Sequence, residues 1–568
     1  MIKFPFCFAL LLLLAFGCPR ATAAGSPVVS ADGIADLQGF INGQLSAGEK
    51  RVVVPPGRYR VAPKGRCHLR FDKLENVGIV MNGVELVCTE TTQAVSISDC
   101  RNLRISGLTI DYDPLPFTQG RITALGPENE WIEFEIAEGY PENLEMRIEI
   151  FDGKSGELKC PTRFDWRRFE KIGAGKYRVK RGGRFNPSTD LEEVGDILVT
   201  NSRHAPGGSN PHAIVSSRCA DLVLEDVTIY ASNCFSFFEL NCDNSTYLRC
   251  KLDRRDLQDD PVKRSMKRIR SGDVDAFHSK YAKRGPKLLS CKAAYMGDDG
   301  VNICGLYYMV ASSEGNTVRL ITKNKPDLDA GDPLELTTYT GERLPGATVA
   351  EAPQKAGTTT PEESAFFGKQ HMNASNRAFL SVQGAPVWSV VLDRPANLPI
   401  GSVLCATNRI GSGFVVKDCT FGPNRSRGIL IKGSQGEVTG NTLIDNWGPA
   451  ILITPEWWWL EAGCSDDVVV SGNKIAGCRD TAIHITAGGG NGKPAPAGAH
   501  NRIAVLDNTI QGGRFPSILV TSTDTGTIAR NVIRSDATGD AIGLVNTKGI
   551  DVRDNTISPA TQQPPAAP

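Results

Sequence analysis

One short phrase recurs through the C-terminal third of the chain: GNTLI from Gly440, GNKIA from Gly472, DNTIQ from Asp507, RNVIR from Arg530 and DNTIS from Asp554. Asn508, Asn531 and Asn555 follow one another at 23 and 24 residues (531 − 508 and 555 − 531), and Cys419 precedes Asn441 by 22. Asn441 to Asn473 (32) and Asn473 to Asn508 (35) are longer because WWWLEAG and GGGNGKPAPAG are inserted. Inserts that leave the frame intact on both sides are what loops on a repeated coil look like. A unit of ~23 residues with short strands and no amphipathic helix cannot bury its apolar side chains alone, so it must stack on its neighbours.

One strand column reads ILIKG, ILITP, IHITA, ILVTS and IGLVN, with alternate residues pointing inward. The asparagine column suits a tight turn whose side-chain amides hydrogen-bond up a ladder. Together they predict an all-β chain built as a right-handed parallel β-helix. A leucine-rich repeat would need an L-x-x-L-x-L frame, and a propeller a longer four-stranded repeat. The frame extends back through CRNLRISGLTIDYD (from Cys100), CADLVLEDVTIYAS (from Cys219) and LLSCKAAYMGDDGVNI (from Leu288). It lapses over 118–200 and 309–408, where alternating runs with Gly and Pro turns predict two inserted antiparallel β-barrel domains. The expected order is a signal peptide (1–24), N-terminal coils (25–117), a barrel (118–200), coils (201–308), a second barrel (309–408), coils (409–558) and a disordered tail (559–568).

Lys3, the apolar run Phe8 to Phe16 and Ala21-Thr22-Ala23-Ala24 read as a secretory signal, so an exported protein without a membrane span is expected. The alternative is a lipid anchor at Cys18, whose surroundings loosely resemble a lipoprotein cleavage site. The chain has 16 cysteines; Cys219, Cys291 and Cys419 recur at one point of the repeat, where stacked buried thiols rather than bridges are expected. With 63 basic and 63 acidic side chains there is no charge excess to favour nucleic acid, and a neutral partner is expected.

DAFHS (from Asp275), DGVNI (from Asp299), RGILI (from Arg427), PAILI (from Pro449) and TAIHI (from Thr481) share one register. Asp275 and Asp299 lie one coil apart (299 − 275 = 24), with Asp298 one residue earlier, so stacking at ~4.8 Å gathers three carboxylates. Each aspartate alone reads as a turn former; three at one-coil spacing do not. Like charges so close split their pKa values, as a general acid working with a general base requires. That points to glycoside hydrolysis, with a separation in the inverting range of ~6.5 to 9.5 Å expected. The rival is a calcium site in an exported β-helical lyase, with Arg427 as base.

The segments SGDVDAFHS (Ser271 to Ser279) and MGDDGVNI (Met296 to Ile303), a barrel insert directly after, and RGILIKG (Arg427 to Gly433) on the return resemble glycoside hydrolase family 110 across nearly the whole mature chain. The resemblance implies an exo-acting, inverting α-1,3-galactosidase that releases terminal α-linked galactose from glycans such as the blood-group B antigen. It implies Asp275 as general acid, Asp298 and Asp299 as activators of water, and no cofactor or metal. More distantly the layout is similar to polygalacturonases, whose Gly-His-Gly motif is absent here. A non-catalytic carbohydrate-binding β-helix is the alternative of a different class.

Around this centre His278 and Asn302 hold equivalent register positions from which to reach sugar hydroxyls, against the plainer reading of ladder members. Arg427 stands in the acid column as a substrate or electrostatic group. In Glu456-Trp457-Trp458-Trp459, neighbouring indoles cannot all face a core, so Trp457 and Trp458 are candidate sugar platforms and Glu456 a hydroxyl bridge, against packing on a barrel or a second subunit. Laterally projecting barrels suit a homodimer.

Overall fold

The computed structural model describes residues 36–559 except 146, 164–165, 183–185, 187–189, 202–210, 371 and 514–515. The expected signal peptide with Cys18, and the tail beyond residue 559, lie outside the described residues.

Short strands pair in parallel from coil to coil. Along one column Phe277 pairs with Val301, Val301 with Ile429, Ile429 with Ile451, Ile451 with Ile483, Ile483 with Ile518 and Ile518 with Ile542. This is the register read from the sequence. A second, larger ladder runs from Glu75–Cys88 and Arg101–Tyr112 to Lys548–Arg553 and Thr556–Ser558. Ile429, Ile431, Ile451, Ile453, Ile483 and Ile485 are fully buried in the bore. Each such side chain contributes about 1.5–3 kcal/mol of burial free energy, which one coil cannot realise without its neighbours.

The asparagine column is a ladder in fact. Asn508 Nδ2 donates to Asn531 Oδ1 at 2.9 Å and to the Val470 carbonyl at 3.0 Å, while Asn508 Oδ1 accepts the Asn473 backbone N–H at 3.0 Å. The Asn473 N–H and the Val470 carbonyl, turned inward at this corner, thereby find partners, which a buried corner demands. The residue before each asparagine is left-handed, as at Gly440 (φ 67°) and Asp507 (φ 56°), which favours Gly or Asp there. Thirteen of the cysteines, Cys219, Cys291 and Cys419 among them, are free and buried.

The sequence reading missed a helix, Leu37–Ser46, capped by Asp36 Oδ1 accepting from Gly39 N at 2.9 Å. It buries Leu37 and Ile41 against the first coils. Two glycines in LQGFINGQLS blur its helical signal.

The inserts differ from each other. In the second, Tyr308–Glu314, Thr317–Ile321, Pro386–Leu392, Arg343–Thr358, Pro333–Thr337 and Val403–Ala406 close a six-stranded barrel. Two helices absent from the expectation, Pro361–Gly368 and Ala374–Leu380, lie between its strands; Thr360 and Glu363 form a capping box on the first. The first insert, expected as a barrel, is a seven-stranded antiparallel sheet from Phe117–Leu125 to Ile197–Asn201. Its edge strands Leu158–Arg163 and Trp166–Gly173 are consecutive in the chain, which brings the edges together at one end, but no ladder joins them among the described residues.

Candidate active site

Asp275, Asp299 and Arg427 each stand two residues ahead of the paired positions Phe277, Val301 and Ile429, where a turn enters the strand. The ladder therefore stacks them. One carboxylate oxygen from each of Asp275, Asp298 and Asp299 lies within 4.8 Å of the others. This is shorter than the expected separation, so the gap that admits a water between acid and base is not visible in the closest oxygens.

Each carboxylate has its own partner. Asp275 Oδ2 lies 2.8 Å from His278 Nδ1, and its Oδ1 accepts the Asp299 backbone N–H at 3.4 Å. Asp299 Oδ1 accepts the Arg427 backbone N–H at 3.0 Å and its Oδ2 a guanidinium N–H at 2.6 Å. Asp298 Oδ2 pairs with Arg425 Nη2 at 2.9 Å and lies 3.8 Å from Arg147 Nη2. Side-chain exposure separates them: 5% for Asp275 and 2% for Asp299, but 21% for Asp298.

Burial and the charge of Asp298 hold the Asp275 carboxyl well above the usual carboxylate range. Burial raises Asp299 to about 7, with Arg427 opposing the rise. The pair titrates together, and at neutral pH it retains a proton. Burial lowers His278 to about 4, leaving a neutral imidazole whose ring stacks on Phe235 at 4.1 Å.

Downstream along the strands lies a second polar group, most of it invisible in the sequence. Lys432 is fully buried and its Nζ lies 3.0 Å from each of Asn302 Oδ1, Glu461 Oε2 and Glu456 Oε2. Burial lowers the Lys432 pKa, but Glu456 and Glu461 more than offset it and the ammonium stays charged. Burial raises Glu461, and Lys432, Lys280 and His278 outweigh it, so its carboxylate is held well below the usual range. Arg427 reaches this group through Nη1, 3.4 Å from Glu456 Oε1. Arg427 Nε is buried with no hydrogen bond among the described residues, a donor available to a bound hydroxyl.

The structure thus gathers Asp275, Asp298, Asp299, His278, Asn302, Arg427 and Glu456. It does not gather the tryptophans. Trp457, expected as a sugar platform, is 7% exposed and packs in the second insert's core against Tyr307 and Tyr339. Trp458 is 38% exposed, and its carbonyl accepts from Asn373, the N-cap of Ala374–Leu380. Packing on the insert, the plainer reading, accounts for Trp457. Lys432, Glu461, Arg425 and Arg147 were missed. Lys432 had a signal, a cation in the column position that Thr454 and Thr486 fill in later coils. Glu461 lies in a two-residue strand, Glu461–Ala462, that pairs antiparallel with Gly305 and Leu306 outside the repeat frame, and Arg147 lies in the first insert.

Neither acidic cluster suits a metal. Arg425 and Arg427 already hold oxygens of Asp298 and Asp299, and a hard cation needing six to eight oxygens would meet two guanidinium groups. His278, Cys304 and Glu461 also converge, but Lys432 and Lys280 lie 3.0 and 3.7 Å from the Glu461 carboxylate.

Residues 402–494 match the family model described as a right handed beta helix region. With the parallel ladders, this makes the chain a right-handed parallel β-helix. The chain is 24% identical over 519 residues to the alpha-1,3-galactosidase B of Bacteroides thetaiotaomicron, spanning 84% of this chain and 77% of that protein. Among solved structures, the A-module of a mannuronan C-5 epimerase from Azotobacter vinelandii overlaps 96% of both chains at 10% identity and a TM-score of 0.37. A family 28 exopolygalacturonase from Yersinia enterocolitica overlaps 89% of this chain and 73% of its own at 11% identity and a TM-score of 0.36.

Proposed function

We propose that this protein is an exo-acting α-1,3-galactosidase of the glycoside hydrolase family 110 kind, removing terminal α-linked galactose from glycans such as the blood-group B antigen. The observation that carries the reading is the cluster of three carboxylates with a proton retained in its buried pair. The alpha-1,3-galactosidase name of a relative spanning most of the chain supports the substrate class.

Asp275, whose carboxyl burial and the charge of Asp298 hold well above the usual carboxylate range, protonates the departing glycosidic oxygen. Asp298 and Asp299 orient and deprotonate the attacking water. Arg427 Nε, with Glu456, His278, Asn302 and Lys432 around it, holds the galactose hydroxyls.

On distance alone, oxygens within 4.8 Å favour retention. Inversion is supported by the fastening of Asp299: both its oxygens are engaged by Arg427, which suits gripping a water rather than swinging onto the anomeric carbon. Proton NMR of galactose released from Gal-α1,3-Gal and from blood-group B trisaccharide tests both parts. The β-anomer appearing first is the expected result; the α-anomer first would remove inversion, and no galactose from either would remove the activity.

A further inference from the structure

The strand Ile148–Phe151 of the first insert alternates its side chains. Ile148 and Ile150 point into the insert's own core, whereas Phe151 joins the core of the coils and Glu149 faces the coils with it. Glu149 is 1% exposed, and three guanidinium groups surround its carboxylate. Its Oε2 pairs with Arg270 Nη2, and its Oε1 lies 3.6 Å from Arg425 Nε and 3.9 Å from Arg147 Nε. Each arginine arrives on a different segment. Arg270 belongs to the loop that delivers Asp275, Arg425 to the turn that delivers Arg427, and Arg147 directly precedes the strand of Glu149 itself.

The same arginines grip the turn that carries Asp298. Arg425 Nη2 lies 2.9 Å and Arg147 Nη2 3.8 Å from Asp298 Oδ2, and both arginines donate to the Gly297 carbonyl, Arg147 at 2.7 Å. Arg270 packs so closely on Gly297 that a Cβ there would strike its guanidinium, and Asp273 and Asp298 attract its charge. Three cations, Arg147, Arg270 and Arg425, thus stand against three anions, Glu149, Asp273 and Asp298. A cavity of about 180 Å³ that Glu149, Arg270 and Arg425 help line adds two of each sign, Arg254 and Arg479 with Glu157 and Asp445. The charge of Asp298 in turn helps to hold the proton of the buried pair, because it pushes both Asp275 and Asp299 upward. A chain of charges therefore runs from the first insert to the reacting groups.

We propose that Glu149 is a positioning residue for the carboxylate cluster: it gathers Arg147, Arg270 and Arg425 and through them fixes Asp298, so that the first insert governs the charge of a site on the coils. Without the Glu149 anion the three guanidinium groups repel one another and Arg425 loses the partner that aims it at Asp298. The proposal rests on the glycosidase reading for the reaction that the cluster performs; the coupling of charges does not.

Glu149→Gln keeps the shape and removes the anion. With one negative charge fewer, the neighbouring carboxyls ionise at lower pH, so both limbs of kcat/KM against pH should move downward. With Asp298 no longer fixed, kcat should fall roughly 10²-fold while KM stays nearly unchanged. Arg270→Gln removes a cation instead and should move both limbs upward; it carries the test if Glu149→Gln does not fold. The charge state is also read without turnover. The infrared C=O stretch of the protonated carboxyl, identified by its loss in Asp275→Asn, should titrate away at lower pH in Glu149→Gln, and at higher pH in Arg270→Gln, than in wild type. Limbs and band that stay in place, or a loss carried by KM with kcat intact, overturn the proposal and leave Glu149 a contact of the fold alone. If no substrate releases galactose, the functional reading has failed, and the infrared titration by itself decides the coupling.

Discussion

Arg427 holds Asp299 by two separate groups, its backbone N–H on Oδ1 at 3.0 Å and its guanidinium on Oδ2 at 2.6 Å. The first contact follows from one-coil register, because strand stacking delivers the amide wherever the next coil passes. The second depends on the residue type. Together they leave a carboxylate that is oriented and, near neutral pH, part ionised.

Replacing the side chain of Arg427 should therefore move the pH profile more than the fold. Arg427 opposes the burial that raises Asp299 to about 7. Without it Asp299 rises further, so the ionised base is reached only at higher pH. In Arg427→Gln the acidic limb of kcat/KM is expected to shift upward by about one unit or more. An unmoved limb would separate Asp299 from the base.

The acid assignment is read by leaving-group dependence. Asp275→Asn should lose roughly 10²–10⁴-fold on Gal-α1,3-Gal. On a dinitrophenyl α-galactoside, whose leaving group needs no proton, most of that loss should disappear, whereas Asp298→Asn and Asp299→Asn should stay inactive on both. If Asp298→Asn is the variant rescued by the good leaving group, Asp298 is the acid.

Asp275 should also cost stability, in a definite pH window. Its folded pKa lies above the unfolded value, so the folded state binds the proton more tightly. Stability is retained below the unfolded pKa near 3.8 and is lost as pH rises toward the folded one. Asp275→Asn, a neutral isostere, should raise Tm at pH 8, by about one degree per kcal/mol relieved in a chain of this length, and leave it nearly unchanged at pH 4. Thermal melts at the two pH values check this, and a lower Tm at pH 8 contradicts it.

Lys432→Met removes the cation between Glu456, Glu461 and Asn302. Stranding two buried carboxylates should cost about 3–5 kcal/mol in chemical denaturation. Lys432→Met combined with Glu456→Gln and Glu461→Gln should recover much of that stability without recovering activity.

Along the asparagine ladder, position sets the cost. Asn508→Ala leaves the Asn473 N–H and the Val470 carbonyl unpaired in a buried corner, about 1–3 kcal/mol for each group. Asn555, at the part-buried end, should cost less when replaced. Equal losses at both sites would mean that the ladder is not what these residues contribute.

The repeat, its register and the Asp275–Asp299–Arg427 stack were legible in the chain. A β-helix restates the same backbone hydrogen bonds every coil, so spacing alone says which residues stack. Asp298 came with them as the neighbour of Asp299. Buried thiols and the asparagine corner followed from the same periodicity. What no spacing carries is where an insert folds back. Arg147 reaches Asp298 from the first insert, Glu461 reaches Lys432 from a short strand outside the coil frame, and the second insert takes Trp457 into its core. Those contacts join residues about 30 to 150 apart outside the coil frame, and only packing between coil and insert selects them. The sequence by itself determined the column of acids; tertiary structure decided which groups surround it, and so, through burial and opposite charge, which of them ionise.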